Sequence, residues 1–316
     1  MNFSDLLLQE IEAADIITIY RHVHPDCDAV GSQFGLFNWL KENWPEKQVY
    51  ALGREKCTQG HWPETDEVSD ETIRNSLAIV LDTANTARID DERAMSASKV
   101  IKIDHHPNRE PFGDVQMVFD SSAATCEILT ELLTGTRYPV SSVTARYFYA
   151  GILTDTLCFR TSNTTAHTLK MAAVLAEHEF SIPELNRELF DRTISEFEFA
   201  SYLRSAVRFT EHRNMGYVIL SQDELNRFHL KGSEARNYID EIGHISELEV
   251  WCVFTERISV KGIYDGSLRS KHVSVNDIAE HFNGGGHKNA SGVKDLTEID
   301  LKDIIQQLKS KAESTD

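Results

Sequence analysis

Short apolar runs alternate with longer amphipathic stretches over the first half of the chain. The short runs predict strands at residues 16–21, 48–52, 77–81 and 100–103. The longer stretches predict helices at residues 31–44, 123–133, 143–153 and 165–178. Near-continuous apolar strands separated by helices are typical of a parallel sheet covered on both faces. We therefore expect an α/β N-terminal domain with a doubly wound, mostly parallel sheet.

The pattern changes in the second part of the chain. Residues 195–213 contain few helix breakers and predict a helix that connects two domains. Beyond it, strands are predicted at residues 217–220, 248–255, 258–264 and 267–270, with Asp265-Gly266 as a turn between the last two. Helices are predicted at residues 274–282 and 301–312. We therefore expect a first domain at residues 1–190, a helical linker at 191–213 and a smaller α/β domain at 214–316.

Composition narrows the possible functions. The 316 residues include 32 basic and 50 acidic side chains, a formal net charge of −18, which argues against a platform for long duplex nucleic acid. A small anionic substrate remains compatible, because bound divalent ions can reverse the local field. The chain has no apolar run of about eighteen residues and no signal-peptide pattern at its start, so we expect no membrane partner. Its five scattered cysteines favour a reducing, cytoplasmic compartment.

Acidic and histidine side chains recur where the predicted strands end. They are His22, Asp26 and Asp28 after the first strand, Asp82 after the third, Asp104, His105 and His106 after the fourth, and Asp155 after a helical run. In open α/β sheets, ligands bind at the carboxyl ends of the strands. Each residue could instead cap a helix or close a turn. Together, so many carboxylates at one edge would repel each other unless cations lay between them.

This donor set predicts a site for divalent cations. If residues 26–28 are extended, Asp26 and Asp28 project to the same side. Carboxylate and imidazole ligands without cysteine suit Mn²⁺ or Mg²⁺, with zinc or iron less favoured. Cys27, between the two aspartates, is interpreted as a packing residue.

These motifs, in this order, resemble the DHH phosphoesterase superfamily. The resemblance rests on His-x-x-x-Asp-x-Asp at 22–28, the strand-end Asp82, Asp-His-His at 104–106 and Asp155-Thr156. The glycine-rich run at 284–292 resembles the signature of the DHH-associated C-terminal domain. Residues 82–85 and 103–108 are similar to the subgroup of nano-RNases (oligoribonucleases) and 3′-phosphoadenosine 5′-phosphate (pAp) phosphatases, which also includes pApA phosphodiesterases.

The resemblance implies a two-metal hydrolase in the first domain. His22, Asp26 and Asp82 would bind one ion, and Asp28, Asp82, His105 and Asp155 the second, with Asp82 shared. The two ions, for which we expect Mn²⁺ with Mg²⁺ as the alternative, would activate a water that attacks phosphorus. His106 would contact the reacting phosphate, and Asp104 would fix the orientation and charge of a histidine ring rather than bind metal.

The resemblance also implies a substrate-binding role for the second domain and, as a further expectation, a homodimer. Three successive glycines allow a close backbone approach to an anion. An arginine fork suits a terminal phosphate, and the cleft between the domains would limit substrate length. The residues expected to bind substrate are Arg269, Ser270, Gly284, Gly285, Gly286 and His287.

One departure concerns the residues after Asp155. The subgroup usually has Asp-Thr-Gly-Arg-Phe there, whereas this chain has Leu157 and Cys158 in place of the glycine and arginine. The change leaves the Asp155 ligand in place but puts nearby substrate contacts in doubt.

Several functions remain open at this stage. The leading prediction is a phosphoesterase for short nucleotides, namely RNA of a few residues, pApA or pAp. The alternatives are a cyclic di-AMP phosphodiesterase, a family II-like inorganic pyrophosphatase, which usually has a lysine- and arginine-rich grip, and a nucleotide-binding regulator without turnover. A processive single-strand exonuclease is disfavoured by the acidic composition.

Overall fold

The computed structural model describes residues 2–314, apart from the side chain of His287. The chain up to Asp191 forms one compact unit, and the chain from Arg192 forms a second. Within the described residues of the first unit, the strands are β1 (Ile16–Tyr20), β2 (Gln48–Ala51), β3 (Leu77–Leu81), β4 (Lys99–Asp104) and β5 (Val115–Val118). Its helices are α1 (Phe3–Ala13), α2 (Cys27–Asn43), α3 (Asp70–Arg74), α4 (Thr125–Thr134), α5 (Ser142–Asp155), α6 (Ala166–Ala176) and α7 (Ile182–Phe190).

The first sheet is parallel throughout, in the order β2-β1-β3-β4-β5. This is one of the two common doubly wound orders, and the chain changes direction between β1 and β3. Tyr20 of β1 is the register partner of Val80 of β3. The residues two positions later, His22 and Asp82, therefore leave the sheet side by side at its carboxyl edge.

The two faces of this sheet are covered differently, because successive strand residues point to opposite sides. Ile79 and Ile101 pack with residues of α1, α2, α4 and α5 in the largest hydrophobic cluster of the described chain. Ala78, Val80 and Val100 belong to a smaller cluster on the other face, with Ile73 of α3. The α/β class and the parallel sheet expected from the sequence are confirmed.

The second unit is smaller and has a mixed sheet. Its described strands are β6 (Arg208–Phe209), β7 (Met215–Leu220), β8 (Val250–Glu256), β9 (Ile263–Ser270), β10 (Gly285–His287) and β11 (Ala290–Thr297). Its described helices are α8 (Ile194–Ser205), α9 (Gln222–Arg227), α10 (Gly232–Arg236), α11 (Asp240–Gly243), α12 (Asn276–His281) and α13 (Glu298–Glu313). The sheet order is β10-β11-β9-β8-β7-β6, with only β7 and β8 parallel.

Three predicted elements of this unit are wrong in detail. The strand expected at 258–264 begins only at Ile263. The helix expected at 195–213 ends at Ser205, and β6 follows it. The turn expected at Asp265-Gly266 is absent, since both residues lie inside the continuous strand β9. Helix α8 packs Phe199 and Leu203 into a cluster of the second unit, with Val218 and Trp251. The predicted domain boundaries and the linker role stay predictions.

Among residues 2–314, no helix combines the length and the apolar character needed to cross a membrane.

Candidate metal centre

His22 and Asp26 lie where β1 runs into α2. Asp26 is the N-cap of α2, and its Oδ1 accepts hydrogen bonds from the amides of Asp28 and Ala29, both at 3.0 Å. Its Oδ2 lies 3.6 Å from Nε2 of His22. One carboxylate therefore caps a helix and still presents an oxygen to the site.

Asp28 points to a different place from Asp26. Residues 26–28 are the N-cap and the first helical residues of α2, so the extended segment that would project both side chains to the same side does not form. Asp28 is buried, and its oxygens accept from the amides of Thr125 (2.7 Å) and Cys126 (2.9 Å). These amides belong to the first turn of α4, where unpaired N–H groups favour an anion.

Asp82 lies at the centre of the cluster. Its backbone takes a left-handed conformation, with φ of 51°, directly after β3. Its Oδ2 lies 3.4 Å from Nε2 of His22, and its Oδ1 lies 3.4 Å from Nε2 of His105. Oδ1 also accepts a hydrogen bond from Thr125 Oγ1 at 3.1 Å. The two carboxylate oxygens therefore face two different histidines.

The Asp-His-His motif begins at Asp104, the last residue of β4, and its two histidines face different pairs of carboxylates. His105 Nε2 lies 3.5 Å from Asp155 Oδ2 as well as near Asp82. His106 Nδ1 lies 2.8 Å from Asp104 Oδ1 and 3.6 Å from Asp82 Oδ1. Asp104 is wholly buried. This geometry fits the expected orienting role for Asp104.

The histidine rings are held by backbone carbonyls. His22 Nδ1 lies 2.8 Å from the carbonyl of Val23, and His105 Nδ1 lies 3.3 Å from the carbonyl of Ser122. Because a carbonyl only accepts, each ring donates from Nδ1 and presents Nε2 to the carboxylates. Metal-binding histidines are commonly oriented in this way.

Three groups of potential ligand atoms result, each with its atoms within 4.8 Å of one another. They are His22 with Asp26 and Asp82, Asp28 with His105 and Asp155, and Asp82 with His105 and His106. The structure thus brings together all six predicted metal ligands, with Asp82 and His105 each in two groups.

Burial and neighbouring charges shift the pKa values of several residues in the site. Burial raises the pKa of Asp28 to about 7 and that of Asp155 to about 8, and neighbouring carboxylates add to both shifts. Burial alone would lower the pKa of His22 and His105, but hydrogen bonds to Asp82, and for His22 also to Asp26, raise both to about 10. Burial likewise opposes the ionised form of Asp82, yet the two histidines hold its pKa well below the usual value. So many carboxylates packed against one another and against histidines favour a positive charge between them, so the donor set fits divalent metal ions.

The predicted substrate-binding residues lie in the second unit. Arg269 lies on β9, and its register partner on β11 is Ala290, which in turn pairs with His287 of β10. The side chain of His287 lies outside the described part of the structure. The hydroxyl of Ser270 donates to the carbonyl of Val273 at 2.6 Å and accepts from Asn289 at 2.9 Å. That hydroxyl is therefore already engaged, and its role in substrate binding stays a prediction.

The glycine run is required by close packing at two positions. A Cβ on Gly284 would lie 2.1 Å from the carbonyl oxygen of Gly292, and Gly286 has φ of 144°. At Gly285, by contrast, an added Cβ would meet nothing within 4 Å. The glycines allow β10 to lie close to β11. Their contact with an anion stays a prediction.

Sequence reasoning missed two residues that support the site. Thr125 contributes both an amide to Asp28 and a hydroxyl to Asp82. Lys102 is wholly buried, and its Nζ lies 3.2 Å from Oδ2 of Asp104. The charged Lys102 inside the apolar run at 100–103 was the one available signal, since buried lysines are rare unless paired.

Comparison with known families places two domains on this chain. Residues 16–152 match the DHH family, N-terminal domain, and residues 215–314 match the DHHA1 domain. The chain is 38% identical to the bifunctional oligoribonuclease and PAP phosphatase NrnA of Bacillus subtilis, over 90% of this chain and 91% of that protein. It is 34% identical to the probable NrnA of Streptococcus mutans, over 96% of this chain and 97% of that protein.

A solved structure shares the fold. It is an exopolyphosphatase-related protein from Bacteroides fragilis, with a TM-score of 0.85, 23% sequence identity and coverage of 98% of this chain and 95% of that one. The two domain matches and the similarity to the NrnA proteins over nearly the whole length show that the chain belongs to the DHH family, with a DHHA1 domain after its DHH domain.

Proposed function

We propose that this chain hydrolyses phosphate esters of short nucleotides with two divalent cations. The observation that carries the proposal is the position of Asp82, whose two oxygens face His22 on one side and His105 on the other. A carboxylate placed in this way can be shared by two ions, as two-metal hydrolysis requires.

The residues of the first ion would be His22, Asp26 and Asp82. Those of the second would be Asp28, His105 and Asp155, together with Asp82. Oxygen-rich sites with imidazole favour Mn²⁺ or Mg²⁺, and we propose Mn²⁺. When bound, such ions supply an activated water and neutralise charge on the phosphoryl oxygens.

His106 is proposed to contact the reacting phosphate. Its Nδ1 is engaged by Asp104 at 2.8 Å, which leaves Nε2 free to donate to a phosphoryl oxygen. Asp104 holds Nδ1 and thereby fixes which way the ring faces. Thus Asp104 acts through His106.

In the second unit, Arg269 is proposed to bind a further phosphate of the nucleotide, with backbone amides of Gly284, Gly285 and Gly286 and with His287. Its Nη1 donates to the Leu268 carbonyl at 3.0 Å, which uses only part of the guanidinium fork. The remaining donors can take a phosphate in bidentate fashion. The role of Ser270 rests on the family resemblance alone.

The substrates proposed are RNA of two to five residues, pApA and pAp. Support comes from relatives named as oligoribonucleases and PAP phosphatases at 38% and 34% identity. We also propose a homodimer, which size-exclusion chromatography with light scattering tests. The free cysteines of the described chain fit a reducing cytoplasm, the compartment that we propose.

A substrate panel tests the proposal. Purified chain with Mn²⁺ is incubated with pAp, RNA of two to five residues, pApA, cyclic di-AMP and pyrophosphate, and products are separated by chromatography. We expect turnover of pAp and the short linear nucleotides that a chelator abolishes. Turnover of pyrophosphate alone, or no metal-dependent turnover at all, would contradict the proposed function.

A further inference from the structure

Lys102 is a wholly buried lysine in the middle of β4. Its neighbours Ile101 and Ile103 belong to the larger core cluster, so alternation along the strand places Lys102 on the other face of the sheet. There, Nζ lies 4.7 Å from the centre of the Phe112 ring. A buried ammonium is stable only when it is paired with polar groups.

The partners of Lys102 lie next to the candidate metal centre. Its Nζ contacts Oδ2 of Asp104 at 3.2 Å, the carbonyl of Ala84 at 2.9 Å and Oδ1 of Asn108 at 3.4 Å. Ala84 follows Asp82 after β3, and Asn108 follows His106 after β4. The ammonium therefore connects the two segments that carry the central aspartate and the Asp-His-His motif.

Asp104 divides its two oxygens between Lys102 and His106. Oδ2 faces the ammonium, while Oδ1 lies 2.8 Å from Nδ1 of His106 and accepts from the His106 amide at 3.2 Å. Within residues 2–314 no group donates a hydrogen bond to Oδ2, so the ammonium holds that oxygen by its charge. Together with the two contacts to Oδ1, this ion pair restricts the plane of the carboxylate. The other oxygen then holds the imidazole in one orientation.

We propose that Lys102 is a positioning residue that sets the orientation of His106 through Asp104. The inference rests on the proposed function, in which His106 contacts the reacting phosphate. Neither Lys102 nor Asp104 belongs to any of the three groups of potential metal ligands in the described chain. Loss of the lysine should therefore affect turnover and leave metal binding almost unchanged.

The test uses Lys102→Met, which keeps the length and packing of the side chain but removes its charge. We expect kcat to fall by about 10- to 100-fold, the usual effect of losing a partner that orients a ligand or catalytic group. KM and Mn²⁺ affinity should change little. In a His106→Ala background the same substitution should have no further effect on kcat, because the imidazole that Lys102 is proposed to orient is absent. A further loss in that background would show a merely structural role and overturn the inference.

A second variant keeps the test possible if the Lys102→Met protein does not fold because Asp104 has lost its cation. Lys102→Met/Asp104→Asn removes both charges together, so no buried charge is left alone. Its kcat should equal that of Asp104→Asn by itself. A clearly lower kcat in the double variant would contradict the inference.

A readout without turnover separates this inference from the proposed function. The measurement is the NMR signal of the imidazole N–H of His106 in the Mg²⁺-loaded protein, which is assigned by its loss in His106→Ala. This signal should shift or broaden in Lys102→Met. The corresponding signal of His22 should not change. An unchanged His106 signal would overturn the role of Lys102 even if the chain is active. A wild-type chain that hydrolyses nothing in the panel would contradict the proposed function, while the NMR comparison still tests the orienting contact.

Discussion

Individual aspartates in this site have two roles at once. Asp26 caps α2 with one oxygen and faces His22 with the other, so the helix-cap and metal-ligand interpretations of the sequence are compatible. Asp28 is held by amides of α4, 97 residues further along the chain. The sequence could predict which residue types gather at the sheet edge. It could not predict contacts such as those of Thr125 and Lys102, because they depend on where distant segments meet.

The turn after Asp155 has a left-handed backbone at three successive residues. Leu157, Cys158 and Phe159 have φ of 48°, 59° and 63°. A left-handed conformation costs a residue with a Cβ about 1–2 kcal/mol, most of which glycine avoids. We expect Leu157→Gly to raise the free energy of unfolding by about 0.5–1 kcal/mol, after the entropy cost of glycine. Urea denaturation measures this change.

Leu169 provides the matched control. It is 51% exposed, against 50% for Leu157, but lies inside helix α6. Leu169→Gly should therefore lower the free energy of unfolding by about 1 kcal/mol. Equal destabilisation by both substitutions would show that the turn after Asp155 is not strained.

A second prediction concerns pH. Because the pKa of Asp155 is raised to about 8 and those of His22 and His105 to about 10, the metal-free site holds protons at pH 7. Metal ions must displace these protons, so Mn²⁺ affinity should rise as the pH increases from 6 to 8. Calorimetry in buffers of different ionisation enthalpy should detect proton release on binding. Affinity that stays constant or falls over this range would contradict the account.

At the scale of elements, apolar runs predicted β1, β3 and β4 well because those strands are buried on both faces. The edge strand β5, in which only Met117 is buried, was missed. The sequence was misleading at Asp265-Gly266, a pair typical of turns. Gly266 lies opposite Phe254, and an added Cβ would come within 2.5 Å of that ring. Asp265 pairs with Arg257 at 2.7 Å. Cross-strand packing and an ion pair therefore explain these residues, and neither is visible along the sequence.

The packing of α5 onto neighbouring helices gives a third prediction. A Cβ on Gly151 would lie 2.3 Å from Sγ of Cys126 and 2.7 Å from Oδ1 of Asp28. We expect Gly151→Ala to lower the free energy of unfolding by about 1–3 kcal/mol, as overpacking does, and to weaken Mn²⁺ binding by displacing Asp28. Gly285→Ala, with open space around its new methyl group, should change neither quantity. Unchanged metal affinity in Gly151→Ala would contradict the placement of Asp28 in the site.

At the scale of the whole molecule, an acidic chain with a compact cluster of cation ligands suits a small anionic substrate better than a long polymer. The family and the clustering of potential cation ligands could be predicted from the order of short motifs, each at the end of an apolar run. The preferred nucleotide could not, because it depends on contacts to groups beyond the reacting phosphate.

The net charge of −18 leads to a fourth prediction. Each added nucleotide brings a phosphate that an acidic surface repels, so kcat/KM should fall as RNA lengthens from two to about ten residues. Added salt screens this repulsion and should reduce the difference between short and long RNA. A preference for long RNA that weakens with salt would instead indicate a basic binding track.

We propose that Asp82 serves two ions in one hydrolytic site. The most direct test is the Mn²⁺-dependent hydrolysis of pAp and pApA by Asp82→Ala, beside Asp114→Ala, which removes a carboxylate that binds the amide of Val100 at the start of β4. Circular dichroism would first establish that both variants are folded. We expect no turnover above background from Asp82→Ala, while Asp114→Ala should retain it. Undiminished hydrolysis by Asp82→Ala would contradict the account.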